Sequence, residues 1–188
     1  MKAHRLAVLC LLVAWSVNVH AGPLCGLSRG SYGANTDQLP SPLANQQMAE
    51  ANAVLCGRFR CPPYNFYRNS TAGNAQAYMD SFGAQIRYQP QFMTGVLNKY
   101  GPQATIGILA HELGHLIDYS SNFSSSVSRY TREATADEYA GCAFALAGAP
   151  PQAFKALQDT LFSMGSSPGY PNNQKRAELI RSGYNKCR

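Results

Sequence analysis

The run His111-Glu112-Leu113-Gly114-His115 puts two imidazoles four positions apart and a carboxylate beside the first of them. On a helix, residues four apart lie one turn apart on the same face, so both rings can reach a single ion. Zinc takes imidazole nitrogens at about 2.0–2.1 Å, and a catalytic zinc leaves one position of its tetrahedron open for water. A carboxylate at the edge of the same face can accept a proton from the attacking water. The spacing predicts His111 and His115 as ligands of one Zn2+ and Glu112 as the general base.

Two histidines leave such a site one protein ligand short. The segment Glu133-Ala134-Thr135-Ala136-Asp137 offers two carboxylates one helical turn apart, and no histidine follows His115. The stretch is crowded with small residues (Ala134, Ala136, Ala140, Gly141, Ala143, Ala147), which would let its helix approach the histidine-bearing one closely. Asp118, Glu138, Asp159 and Glu178 lack that context. Glu133 is therefore expected as the third ligand. Asp137 is expected to stand behind the site and accept the second N–H of a ligating histidine, which fixes its tautomer. Cys142 lies about half a helical circle from Glu133 and is expected to point away from the metal, as a buried thiol or in a disulfide.

The elements that must hold these residues can be read from periodicity and punctuation. Leu43 to Leu55 reads as a helix capped by Ser41, and 61–74 reads as irregular, broken by Pro62-Pro63 and Gly73. Ala75, Ala77 and Met79 alternate with polar or aromatic residues as in a strand; Gly83 can turn the chain into a second strand, Ala84 to Tyr88. Helices are expected over 91–100, 103–119, 130–147, 152–164 and 174–181. In the second of these, Ile106, Leu109, Leu113, Leu116 and Ile117 fall on one side and the two histidines nearly opposite, giving an apolar back and a histidine-bearing front. The fold class is α+β: one mainly helical domain with a small, antiparallel-edged sheet before the histidine helix.

Composition narrows the setting. The first five residues carry Lys2 and Arg5, Leu6 to Val17 is almost continuously apolar, and Val19 and Ala21 precede Gly22. This is the anatomy of a secretory signal peptide over 1–21, too short in its apolar part for the roughly 20 residues of a membrane span. Removing it takes the net charge from +6 to +4 and leaves Cys25, Cys56, Cys61, Cys142 and Cys187. Five cysteines permit at most two internal bridges; Cys56 and Cys61 are close enough to pair, and the rest cannot be assigned. An unpaired Cys25 could instead occupy the open metal position. The basic residues are scattered, without a stripe interleaved with stacking aromatics, so no nucleic-acid partner is expected. The expected location is secreted or periplasmic, with no integral membrane segment after cleavage. Residues 22–73 form a segment of unknown role ahead of a core at 74–188, all within one compact domain.

HELGH followed some seventeen residues later by ExxAD and a small-residue helix resembles the gluzincin metallopeptidases, and in style their neutral zinc metallopeptidase branch. Asn74-Ala75-Gln76-Ala77 resembles that branch's edge strand, which implies that these four residues pair with substrate backbone. Ala136-Asp137-Glu138-Tyr139-Ala140-Gly141 resembles its ADxxAG run. Tyr170-Pro171 with Arg176 lies where the branch shows His-Pro followed by Arg, which makes Tyr170 or Arg176 a candidate oxyanion donor, set against simple packing or a salt bridge. The likeness covers about 74–182. Tyr170 replaces the branch's histidine, and many relatives are membrane-embedded or lipid-anchored where this chain has no matching feature. The resemblance implies a zincin-like fold and a secreted, zinc-dependent endopeptidase acting on a peptide or protein substrate. The same zinc chemistry would serve an amidase acting on cell-wall peptides, and a non-catalytic binding or chaperone module would keep the fold alone.

Overall fold

A computed structural model describes residues 36–80, 83–121, 126–150, 153–163 and 168–188 of the chain. The signal segment and Cys25 lie outside the described residues. Four strands, β1 (Asp37–Gln38), β2 (Tyr64–Asn69), β3 (Ala75–Asp80) and β4 (Gly83–Tyr88), form one sheet in the order β1-β2-β4-β3. β2 and β4 run parallel, and both outer pairs are antiparallel. Among the described residues the helices are α1 (Pro42–Cys56), α2 (Pro90–Tyr100), α3 (Pro102–Ser121), α4 (Arg129–Leu146), α5 (Ala153–Ser163) and α6 (Asn173–Cys187). The described chain is thus mixed α+β, mainly helical, with one small sheet.

Local chemistry places most helix starts. Ser41, Ser128 and Asn172 each accept a backbone N–H from the first turn of α1, α4 and α6 with their side-chain oxygens, which satisfies donors that a helix start leaves orphaned. Gly101, at φ 83°, separates α2 from α3 in a conformation that costs glycine nothing. α3 is the central rod. Its residues Ala104 through Asp118 are nearly all buried, on the histidine side as well as on the apolar side. The expected two-faced helix is therefore enclosed all round, because α1, α4, α5 and β3 pack against its different sides.

Three expectations need correction. The stretch 61–74 is not irregular throughout: β2 lies in it and pairs with both β1 and β4 inside the sheet. The last helix does not stop near 181 but runs to Cys187, which is bonded to Cys142 of α4. Finally, Gly141 does not serve the α3–α4 contact. A β-carbon there would lie 1.9 Å from the Ile180 carbonyl oxygen of α6, and one at Gly183 would lie 1.9 Å from the Glu138 carbonyl oxygen of α4. The two helices touch backbone to backbone, and the Cys142–Cys187 bridge pins them. A second bridge joins Cys56 to Cys61 at the end of α1.

The glycine that admits α4 to α3 is Gly114, inside the histidine motif. A β-carbon there would come 2.7 Å from Cβ of Tyr139. Because backbone cannot yield as a side-chain tip does, Gly141→Ala or Gly183→Ala should cost about 3 kcal/mol or more. Thermal denaturation should show a melting temperature lower by at least about 6 °C in a domain of this size.

Candidate metal centre

α3 and α4 lie side by side at the level of Gly114, and this contact brings the two motifs together. His111, His115 and Glu133 each offer one ligand atom, and the three atoms lie within 4.8 Å of one another. Nε2 of His111 is 3.1 Å from Nε2 of His115. Glu133 Oε2 is 3.3 Å from His111 Nε2, and Glu133 Oε1 is 3.8 Å from His115 Nε2. Bonds of about 2.0–2.1 Å directed to the corners of a tetrahedron put neighbouring ligand atoms about 3.4 Å apart. The two separations at His111 Nε2, 3.1 and 3.3 Å, are close to that edge length, whereas the contact to His115 is made by the other Glu133 oxygen.

Burial sharpens the fit. Glu133 is fully buried, and neither carboxylate oxygen makes a well-formed hydrogen bond. A buried carboxylate held only by long contacts, such as 3.3 Å to the His111 ring and 4.0 Å to Arg176, is costly. An ion between the two imidazoles and Glu133 would supply what its oxygens lack. The three residues form a group that could hold a metal ion.

Asp137 stands behind His111: its Oδ1 is 3.0 Å from the Nδ1 that faces away from the cluster. Asp137 is in turn gripped by Arg176, which donates from Nε to Oδ2 at 2.8 Å and from Nη2 to Oδ1 at 2.8 Å. This is a buried bidentate pair, the strong form of a charge-assisted contact. The path from α6 to α4 to α3 thus fixes the orientation of one ligand ring. Arg176 is itself buried, and its Nη2 lies 4.0 Å from Glu133 Oε2. It is in the salt bridge weighed for it from sequence. Tyr170 is half-buried with the Arg129 guanidinium 5.7 Å from its ring centroid, at the start of α4 and one turn before Glu133. Asp118, an alternative carboxylate, lies 3.6 Å from Arg132.

Comparison with known proteins assigns no family: no family model, no curated protein and no solved structure matches this chain. The chemistry must be read from the side chains alone.

Glu112 is the side chain that a merely structural site would not need. It is fully buried, neither oxygen makes a well-formed hydrogen bond, and burial pushes its carboxyl up to about 8, with the charge of His111 and a weak hydrogen bond from the Ala77 backbone N–H opposing the rise and the Glu133 charge adding to it. The Ala77 backbone amide of β3 faces it. β3 is an outer strand of the sheet, and Asn74, Ala75, Gln76 and Ala77 are all buried. Ala75 and Ala77 belong to the core, whereas Tyr78 on the opposite face donates to Gln76.

The two rings differ in charge without an ion. Burial alone would depress His111, but hydrogen bonds and charge from Asp137 and Glu133 outweigh it and raise the ring to about 10. Burial holds His115 down at about 3. At pH 7 His111 is then protonated and His115 neutral. A metal ion must displace the His111 proton, so binding should release at least one proton per ion. Apparent affinity should rise about tenfold per pH unit or more between pH 6 and 8. Calorimetric titration in buffers of different ionisation enthalpy reads the proton count directly.

Sequence reasoning underused α6. Arg176, Ile180, Gly183, Tyr184 and Cys187 recur at helical spacing, which was a signal for a helix continuing to Cys187. It would have placed Arg176 on the face presented to α4.

Proposed function

We propose that this chain is a secreted or periplasmic zinc-dependent endopeptidase in the manner of the gluzincins, with His111, His115 and Glu133 as zinc ligands. The observation that carries the reading is the pairing of a His/His/Glu group, its ligand atoms within 4.8 Å of one another, with a fully buried Glu112 that has no well-formed hydrogen bond beside it. Zinc bound there would supply Lewis-acid polarisation of the scissile carbonyl and an acidified water.

The chain's own residues do the rest. Glu112 takes the proton of the attacking water and passes it to the leaving amine. The Glu112 carboxyl would be drawn down from its raised value by the charge of a bound ion, leaving it ionised to accept the proton at neutral pH and able to give it up again. Asp137 accepts from His111 Nδ1 and keeps Nε2 aimed at the ion, and Arg176 holds Asp137 in place. In this role Arg176 is a positioning residue. The outer strand β3 suits pairing with an extended peptide. Because the four central side chains are closed to solvent, turnover requires the covering structure to move aside. Two disulfides, together with the absence among the described residues of any helix long and apolar enough to cross a membrane, are compatible with an exported protein.

The same burial favours a second reading, a non-catalytic module in which the metal only stabilises the fold. It does not account for Glu112, a carboxyl buried beside the site with only the Ala77 backbone N–H against it, which costs stability with little structural return. Digestion of casein and of cell-wall muropeptides separates the readings. Hydrolysis of either that is lost on chelation and restored by zinc supports the enzyme, and which substrate is cut sets its class. Full zinc occupancy without cleavage of either supports the module.

A further inference from the structure

A second pocket, lined by parts of α1, α2 and the ends of β2 and β4 and by none of the residues of the metal centre, has a chemistry of its own. It encloses about 160 Å³, the volume of about five liquid waters. The N-terminal turns of α1 and α2 both line it, through Ser41 to Ala44 on one side and Pro90 to Thr94 on the other. These helices are 15 and 11 residues long, and neither carries an acidic residue in its first turn. Two positive helix ends therefore line the pocket, each with one N–H capped by a neutral side-chain oxygen (Ser41 Oγ and Gln89 Oε1) and with no acidic side chain among the described residues lining it.

An independent observation points to an acceptor in the same place. Gln47, 5% exposed and lining the pocket, has a buried side-chain Nε2 with no hydrogen-bond partner. Tyr88 lines it too; its hydroxyl oxygen accepts from the Ser41 backbone N–H at 3.0 Å, which leaves the hydroxyl proton to be given elsewhere. The side chain of Arg68, exposed at the rim, makes no ion pair or hydrogen bond with the described residues. No lining residue is acidic. The other walls are apolar, from Met93 and Leu97, and Leu43 at the mouth is 47% exposed, one of only three large hydrophobic side chains so exposed among the described residues.

We propose that this pocket binds a carboxylate attached to a short apolar body, either a free aliphatic acid or the C-terminus of a peptide ending in an apolar residue. The carboxylate takes the Gln47 amide, the Tyr88 hydroxyl and the Arg68 guanidinium, while the alkyl part lies on Met93, Leu97 and Leu43. A volume of this size holds one such group and no more. The charge-assisted contacts favour a carboxylate over a neutral amide of the same shape. The inference is independent of the metal centre and of what it catalyses.

The test is calorimetric titration of the full-length mature protein with 4-methylpentanoate, N-acetyl-leucine and N-acetyl-leucinamide, repeated after chelation so that carboxylate binding to a metal cannot contribute. The expected result is a dissociation constant near or below about 1 mM for at least one of the two carboxylates, with no detectable binding of the amide. Arg68→Gln, a surface change that leaves the core untouched, should weaken that binding at least about tenfold. Gln47→Met, of similar shape, should do the same. Binding of 4-methylpentanoate alone identifies a free-acid site, and binding of N-acetyl-leucine identifies a peptide C-terminus as an acceptable source. Absence of binding by both acids, equal binding of the amide, or unchanged affinity in Arg68→Gln would overturn the proposal.

Discussion

Glu112→Gln is expected to bind one metal ion per chain with wild-type affinity and to lose peptide hydrolysis by about 10²–10⁴-fold, the contribution of a positioned general base. The substitution keeps the volume of the side chain and touches no ligand atom, so the His111, His115 and Glu133 geometry should survive it. It should also stabilise the fold. Glu112 has no donor but the Ala77 backbone N–H, and burial is the largest cause of its raised proton affinity. An amide removes a group that resists burial when ionised, and a gain of about 1 kcal/mol is expected. Chemical denaturation and a peptidase assay on the same preparation read both effects. Loss of activity with a gain in stability marks a residue kept for chemistry; loss of both would mean that the fold depends on Glu112.

Removing the third ligand should act on binding instead. Glu133→Gln leaves a neutral group where two imidazoles need a charged partner, and it deprives His111 of one of the carboxylates that hold its proton. Metal affinity should fall by a factor of about 100 or more. The thermal signature is simple. In the wild type, free metal at about 100 times its dissociation constant adds about 2.7 kcal/mol to stability, or about 5–10 °C in melting temperature for a chain of this size. In Glu133→Gln the same addition should move the transition by no more than about 2 °C. An undiminished shift would place the ion elsewhere.

The spacing of the histidines and the acidic pair was legible in the sequence because both features are local. Residues four apart on a helix share a face whatever surrounds them, and Glu133 and Asp137 repeat the same rule on the next helix. What joins them is not local. The contact that sets α4 against α3 depends on Gly114 meeting Tyr139, and the one that sets α6 against α4 depends on Gly141 meeting Ile180 and Gly183 meeting Glu138. Small residues along α4 announced close packing but not with which neighbour. The parallel pairing of β2 with β4 is likewise a long-range event. In Tyr64-Asn65-Phe66-Tyr67 the alternation is blurred by an aromatic on each face, and Pro62-Pro63 suggested a loop. The full burial of the histidines was unreadable for the same reason: a helix period shows which residues share a side, not how many neighbours enclose it.

X-ray absorption at the zinc edge of the purified mature protein tests the central claim most directly. The account predicts one zinc per chain with a shell of two imidazole nitrogens and light oxygen ligands at about 2.0–2.1 Å. A protein that takes up no metal, a sulfur at about 2.3 Å in the shell, or an ion surrounded by oxygen alone would contradict it.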